Sequence, residues 1–205
     1  MQRGFAVSNV GGMGHPPKFY ELDDASVRLL AHPLRLRLLA LLRHDGPSTA
    51  TRLGERIGES SGVTSYHLRK LAEGGFVEED PNRGTKRDRW WRSSHEATKV
   101  SPADFLGDPA AHRASVSVRR EINRWQQRLV DQWLAEEADW DKGWVDAAGS
   151  SDWLLRLTPA QTRALHDEVL DVVRRYNDAE APEDDPDAER VVWFQHLIPV
   201  RELSF

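Results

Sequence analysis

The chain of 205 residues contains no cysteine. This absence excludes disulfide bonds and metal sites built from thiolates. Long apolar stretches are also missing, because the longest uninterrupted run is Leu38–Leu42, far below the roughly 20 residues that span a bilayer as a helix. The N-terminus lacks the apolar core of a secretory signal peptide. Together these absences predict a soluble protein of the reducing cytoplasm.

The motifs of common enzyme classes are absent as well. The sequence contains no Walker loop, no G-x-S-x-G elbow and no H-E-x-x-H pair. The glycines of residues 11–14 follow no predicted strand and precede two prolines, so they do not form a dinucleotide fingerprint. The sequence therefore predicts a protein that is not an enzyme and that needs no cofactor.

The net charge of −5 conceals an uneven distribution. Residues 28–99 carry 14 Lys and Arg against nine Asp and Glu, a net charge of +5. Residues 100–205 carry 12 Lys and Arg against 21 Asp and Glu, a net charge of −9. One interpretation is a basic module that binds a polyanion, followed by an acidic module that does not. The alternative is chance clustering of solvated charges.

A short helix followed by a hairpin is predicted for Glu59–Trp91. Ser60 is a good N-cap, and Gly74 with Gly75 ends the helix. The buried stripe of this helix recurs at helical spacing and comprises Thr64, Leu68 and Leu71. Turn residues at 81–84 separate two predicted strands. A helix of this kind beside a basic hairpin indicates a winged helix-turn-helix.

The face opposite the stripe supplies the candidate DNA-binding residues. Four of its side chains are expected to read base edges in the major groove: Val63, Tyr66, Arg69 and Lys70. Three hydroxyls are expected to bond phosphates or bases: Ser60, Ser61 and Ser65. At the hairpin tip, Arg83 and Lys86 are expected to hold the DNA backbone.

The segment from about Asp24 to Trp91 resembles the ArsR-type winged-helix regulators. The resemblance lies in Ala31–Leu39 (AHPLRLRLL), in Ser65–Leu68 (SYHL) and in Gly75–Val77 (GFV). It implies a dimeric, DNA-binding transcriptional regulator whose recognition helix lies near residues 60–72. Gly62 departs from the small polar residue common at its position.

Metal sensing is common in that family, through cysteine pairs or through His, Asp and Glu sets on a dimer helix. This chain has no cysteine, and its long helix carries only His112, at its start. His166 begins a lone cluster with Asp167 and Glu168, and successive residues of a helix do not share a face. A metal site is therefore not expected.

A long helix is predicted at about residues 111–138. Its apolar stripe comprises Val118, Ile122, Trp125, Leu129 and Trp133. One interpretation is ordinary packing within the C-terminal half. The other is a dimer helix that packs on its symmetry mate, as the two-fold symmetry of most operators favours.

The remaining sequence predicts a small α/β module. Residues 153–157 and 191–198 are predicted strands, because β-branched and aromatic residues concentrate there. A capping box with Thr158 and Gln161 opens a helix between them. Six tryptophans fall in the C-terminal half and predict either an aromatic-walled effector pocket or a plain core: Trp125, Trp133, Trp140, Trp144, Trp153 and Trp193.

The predicted fold class is α+β. It comprises a flexible arm at 1–17, a winged helix-turn-helix at 18–99, and a dimerisation and effector domain at 100–205 with a long helix and a small α/β part. The predicted function is a homodimeric transcriptional regulator, taken as a repressor, that binds operator double-stranded DNA under control of a small apolar or aromatic effector. The alternatives are a DNA-architectural protein and a protein-interaction scaffold, both without an effector.

Overall fold

The computed structural model describes residues 19–84, 89–95, 97–179, 181–182 and 185–202. The predicted arm at 1–17 lies outside the described residues. Contacts within the chain divide it into two units, with the boundary between Glu136 and Glu137. The α+β fold class is confirmed, with an N-terminal helix-turn-helix, a long helix and small sheets.

Seven α-helices and five strands are described. The helices are α1 Asp24–Leu30, α2 Pro33–His44, α3 Ala50–Ile57, α4 Ser61–Glu73, α5 Pro109–Glu136, α6 Lys142–Ala147 and α7 Pro159–Asp178. The strands are β1 Phe19–Glu21, β2 Ser48–Thr49, β3 Val77–Gly84, β4 Arg89–Ser93 and β5 Ala97–Lys99. Short 3-10 helices at Pro102–Phe105 and Glu137–Asp139 flank α5.

Local sequence explains where the first two helices begin. The Asp23 carboxylate accepts the Ser26 N–H at 2.8 Å, and the Ser26 hydroxyl in turn accepts the Asp23 N–H at 2.8 Å. This capping box satisfies free N–H groups at the start of α1. The His32 Nδ1 accepts the Leu34 N–H at 3.2 Å, and Pro33 occupies the first position of α2, where a missing N–H costs nothing.

Three strands form the sheet of the wing in the order β2-β4-β3, all antiparallel. Trp91 of β4 lies between Ser48 on one side and Glu79 on the other. The register of β3 and β4 shifts between Glu79 and Gly84, toward the hairpin tip. A separate parallel pair joins β1 to β5. The hairpin therefore projects from a sheet that β2 anchors just before α3.

The core of the first unit consists of 16 buried apolar residues between Leu22 and Val118. Leucines of α2 and α4 dominate it, and Leu38, Leu68 and Leu71 are fully buried. Burial of each such side chain stabilises the fold by roughly 1.5–3 kcal/mol. The first half of α5 packs on α1 and α2. The prediction placed this helix in the second domain, whereas its contacts assign it to the first unit.

The second unit contains α6 and α7, and the two strands predicted within it are not formed. Residues 153–157 and 191–198 have no regular secondary structure, so the prediction of two strands within a small α/β module of a single chain is wrong. The physical reason is that a strand forms only when its backbone groups pair with a neighbouring strand. None of the described residues from 119 to 202 is buried. No helix in the described part of the chain is both long and apolar enough to cross a membrane.

Candidate nucleic-acid interface

The turn between α3 and α4 depends on two glycines. A Cβ on Gly54 would lie 2.6 Å from the carbonyl oxygen of Glu59, so a larger residue would force the two helices apart. The Glu59 N–H donates to the Gly54 carbonyl at 2.9 Å. Gly58 has a φ of 73°, in the left-handed region that glycine tolerates best. These contacts fix the direction in which α4 leaves the turn.

The predicted buried stripe packs helix α4 against the core. The Ser60 hydroxyl oxygen caps the helix by accepting the Val63 N–H at 3.3 Å. Thr64 is fully buried, and its hydroxyl donates to the Ser60 carbonyl at 3.1 Å. Because Leu68 and Leu71 are also fully buried, the opposite face of α4 points away from the core.

The predicted DNA-reading residues share this outer face. Val63 is 39% exposed and Tyr66 is 48% exposed. Ser60, Ser61 and Arg69 are exposed, whereas Ser65 and Lys70 are half-buried. The structure therefore brings the seven α4 candidates together along one helix, with Ser60 as its cap.

Lys70 differs from Arg69 in having a partner on its own helix. Its Nζ lies 2.6 Å from Oε2 of Glu73, one turn further along. The hydrogen bond to Glu73, followed by the charge of that carboxylate, raises the pKa of Lys70. Among the described residues, Arg69 forms no ion pair. Arg69 therefore has the less compensated positive charge on the outer face.

The wing adds a cation–π arrangement that joins three elements. The Arg83 guanidinium on β3 lies 5.5 Å from the ring centroid of Trp90 on β4. The Arg52 guanidinium on α3 lies 5.0 Å from the same ring. Arg83 also approaches the buried Asp80 carboxylate, with Nε 3.8 Å from Oδ2. Trp90 thus holds two cations close to the wing, while the predicted contact Lys86 lies outside the described residues.

Arg52 is a candidate that sequence reasoning missed. It is exposed in the first turn of α3, outside the helix and the hairpin tip that the sequence predicts to contact DNA. The available signal was its position three residues after the helix cap Thr49, whose side chain accepts the Arg52 N–H at 3.3 Å. Other wing arginines are paired with acids: Arg92 with Glu78 at 2.7 Å and Arg89 with Glu79 at 3.0 Å.

A histidine pair lies behind α4. The rings of His32 and His67 are 4.4 Å apart, and the Arg35 Nε donates to the His67 Nδ1 at 3.5 Å. His67 is buried, and that burial, followed by the charges of His32 and Arg35, lowers its pKa. This contact links the start of α2 to α4, and no pattern in the sequence predicted it.

The apolar stripe of α5 divides into two parts. Val118 is buried and Ile122 packs against the core of the first unit. Trp125 stacks on His44 of α2, with ring centroids 5.2 Å apart. Beyond these residues, Leu129 and Trp133 of the stripe are half-buried, and the neighbouring Val130 and Leu134 are 40% and 60% exposed. Packing within the first unit therefore accounts for the first half of the stripe, and exposed apolar side chains lie beside its second half.

The tryptophans of the second unit differ in exposure. The rings of Trp140 and Trp144 meet edge to face, with centroids 6.5 Å apart. Trp193 is 47% exposed and Trp153 is 81% exposed. No group of three or more His, Asp or Glu side chains in the described part of the chain is arranged to hold a metal ion.

Residues 30–80 match the family model of a helix-turn-helix domain. The match includes α2, α3, α4 and the start of the wing, and such domains place their second helix in the major groove of DNA. No curated protein matches the chain.

Several solved structures of regulators are similar to the chain. One is described as a possible transcriptional regulator for arsenical resistance; it is 27% identical, with a TM-score of 0.30, over 54% of this chain and 96% of that one. A MarR family regulator from Neisseria meningitidis is 11% identical, with a TM-score of 0.32, over 72% of this chain and 79% of that one. An apo mutant of ZitR from Lactococcus lactis is 12% identical, with a TM-score of 0.32, over 71% of this chain and 83% of that one.

Proposed function

We propose that this chain is a transcriptional regulator, acting as a repressor, that binds an operator in double-stranded DNA as a homodimer. The observation that carries this proposal is the outer face of α4, which presents Tyr66 and Arg69 to solvent beside the cations held by Trp90. The helix-turn-helix match to residues 30–80 supports the same function. The net charge of +5 on residues 28–99 provides the electrostatic attraction that DNA binding requires.

In this proposal, base readout belongs to α4. Arg69 would donate two hydrogen bonds to a guanine edge, which is the commonest specific contact in the major groove. Val63 would contact a thymine methyl group, and Tyr66 would pack alongside it. Lys70 would have to exchange its 2.6 Å pair with Glu73 for a contact with DNA. We therefore expect Arg69 to contribute more to specificity than Lys70.

Backbone contacts belong to the wing and to α3. Arg52 and Arg83 lie on the ring of Trp90 from two different elements, so one aromatic side chain fixes the separation of two phosphate-binding groups. Phosphate contacts position a protein on DNA without reading its sequence. The hydroxyls of Ser60 and Ser61 lie at the start of α4, where free N–H groups and the helix dipole also favour a phosphate.

The homodimer follows from the length of the reading helix. One recognition helix contacts a short half-site, whereas two related by a two-fold axis reach successive major grooves about 34–36 Å apart. The second half of the α5 stripe, with Val130 and Leu134 exposed, would form part of the interface. We expect Trp133→Asp to weaken the dimer while α-helix content is retained, as analytical ultracentrifugation and circular dichroism would show.

Effector control is the remaining part of the proposal. A flat apolar compound would bind among the tryptophans of the C-terminal half, and the edge-to-face contact of Trp140 with Trp144 offers one aromatic wall. Binding that favours one spacing of the two recognition helices would change operator affinity. A compound that quenches tryptophan fluorescence should then shift operator affinity over the same concentration range, whereas a metal chelator should have no effect.

The central experiment separates sequence reading from backbone binding. Duplexes selected from a random library would be titrated with the wild type, Arg69→Ala, Arg83→Ala and the control Arg174→Ala, which changes an exposed arginine of α7. Arg69→Ala should cost roughly 1–3 kcal/mol on the selected duplex and less on random DNA. Arg83→Ala should weaken both duplexes alike and reduce the salt slope by about one. Wild-type protein that binds no duplex at low salt would refute the proposed function.

A further inference from the structure

Two apolar segments of the second unit are exposed to solvent. The first apolar run is residues 153–157 and the second apolar run is residues 191–200. In the first run Trp153 is 81% exposed and Leu154 is 71% exposed. In the second run Val191 and Ile198 are each 73% exposed. Six further large apolar residues in these runs are between 37% and 53% exposed: Leu155, Leu157, Val192, Trp193, Leu197 and Val200.

The apolar area of the two runs is comparable with that of a protein interface. Trp153 alone exposes on the order of 200 Å², and the ten side chains together expose about 1,000 Å². A standard interface buries about 800 Å² per partner, and obligate homodimers bury more. The runs therefore offer the amount of apolar surface that a stable homodimer needs.

The residue types of both runs fit strands that lack a neighbour. Tryptophan, valine, isoleucine and phenylalanine favour the pleated, half-buried surface of a sheet. Strands form only where backbone groups pair, and neither run pairs with another segment in the described part of the chain. An unpaired edge of this composition is a template for a further strand.

Charge complementarity indicates which strand would pair with the first run. If two copies align antiparallel with Leu154 opposite Leu154, then Trp153 of one copy faces Leu155 of the other. The same alignment places Asp152 of each copy opposite Arg156 of the other. Neither of these charged residues forms an ion pair within the described chain. Opposite charges at directly facing positions stabilise an antiparallel pair, and like charges destabilise it.

We propose that a second copy of this chain covers the two apolar runs, and that the first run pairs antiparallel with its own counterpart across a two-fold axis. A two-fold interface brings one surface against itself, so a single segment supplies both sides. A bound small molecule would cover only part of about 1,000 Å². The inference rests on the homodimer of the proposed function and adds a second surface to the α5 stripe.

The test is a charge reversal measured on the full chain without DNA. Sedimentation equilibrium would give the dimer dissociation constant of the wild type, Asp152→Arg, Arg156→Asp and the double variant carrying both changes. Each single reversal creates two like-charge contacts across the two-fold axis and should weaken the dimer about tenfold or more. The double variant restores opposite charges and should return to within about threefold of the wild type. Arg163→Asp, an exposed change on α7, is the matched control and should leave the dimer unchanged.

Each other outcome contradicts the proposal in a different way. Wild type that remains monomeric at tens of micromolar would show that another molecule, or none, covers the runs. A dimer that is indifferent to both single reversals, or that the double variant does not restore, would place the interface elsewhere. DNA binding is measured separately: Arg156→Asp should still bind a duplex with one half-site. A dimer that ignores the charge reversals would overturn this inference alone, whereas a wild type that stays monomeric would also overturn the homodimer of the proposed function.

Discussion

Residues 22–118 and residues 119–202 differ in where their large apolar side chains lie. Among the described residues, all 16 buried apolar residues fall in the first region, and 16 of the 19 exposed large apolar residues fall in the second. Two of the three exceptions in the first region, Val63 and Tyr66, are on the outer face of α4. The first region therefore uses its apolar residues to build a scaffold, and exposes a few of them where we propose that it binds DNA.

The second region contrasts with this arrangement because its helices share no core. Helix α7 has an N-terminal capping box and an amphipathic sequence, yet none of its residues is buried. Most helical stability in proteins comes from packing of an apolar face rather than from local propensity. Regular local structure without burial is the observation behind the proposal that a second copy of the chain covers this region.

The largest difference in stability between the two regions is expected when one leucine in each is replaced by alanine. Leu68→Ala removes a fully buried side chain of α4 and should destabilise the first unit by roughly 2–5 kcal/mol. Leu154→Ala removes a side chain that is 71% exposed and should change the stability of dilute protein by less than about 0.5 kcal/mol. Urea unfolding at low concentration measures both. Equal effects would show that the second region has a core of its own.

A smaller difference in stability is expected when one buried and one exposed arginine are each replaced by methionine. Arg43 donates to the Thr98 hydroxyl at 2.8 Å and to the His95 carbonyl at 3.1 Å, and burial lowers its pKa to about 10. Arg43→Met removes both hydrogen bonds, although the Ser93 hydroxyl still donates to the His95 carbonyl at 2.7 Å, and should destabilise the first unit by about 1–3 kcal/mol. Arg174→Met removes an exposed pair with Asp171 and should cost about 0–1 kcal/mol. Thermal unfolding measures both variants, and similar losses of unfolding free energy would contradict this expectation.

The third prediction concerns pH. Burial holds the pKa of His67 below its usual 6.5 in the folded chain, so the unfolded chain binds this proton first as the pH falls. Stability from this group is thus present above about pH 6.5 and declines as the pH falls from there toward the lower folded pKa. His67→Gln should reduce the loss of stability between pH 7.5 and 5.5, measured by urea unfolding at each pH. An unchanged pH dependence would show that His67 titrates normally.

The smallest effect on the stability of the first unit is expected from removing the second unit, which begins at Glu137. A chain that ends after Glu136 retains every buried residue of the first region. Its melting temperature should therefore stay within about 4 °C of the full chain, because no more than about 1 kcal/mol is lost. Differential scanning calorimetry measures this change. A collapse of the first transition would show that the two regions depend on each other for stability.

Local sequence was sufficient to predict the cap, the buried stripe and the end of α4. Ser60 as a cap, Thr64 and Leu68 in the stripe, and Gly74 after the helix were all predictable, because caps and helical periodicity act over a few residues. The outer face of α4 followed directly, since it is the face opposite the stripe. The strand predictions at 153–157 and 191–198 were wrong because β-propensity describes a residue's fitness for a sheet and cannot supply the neighbouring strand.

The contacts that sequence reasoning missed are distant along the chain. Arg52 and Trp90 are separated by the whole of α4 and the hairpin, and their 5.0 Å contact exists only because β2 pairs with β4 beside α3. His32 meets His67 in the same way, because α2 packs on α4. No local pattern encodes such a pair.

The sequence by itself determined the helices, their caps, the buried stripe of α4 and the separation of a basic from an acidic region. These features depend on backbone preferences and on side-chain periods, which act within one or two helical turns. The tertiary structure alone decided which arginines contact the ring of Trp90, which histidine of α4 contacts His32, and which apolar residues remain exposed. Those outcomes depend on long-range packing, because a side chain is buried only when distant segments of the chain supply the other side of its contact.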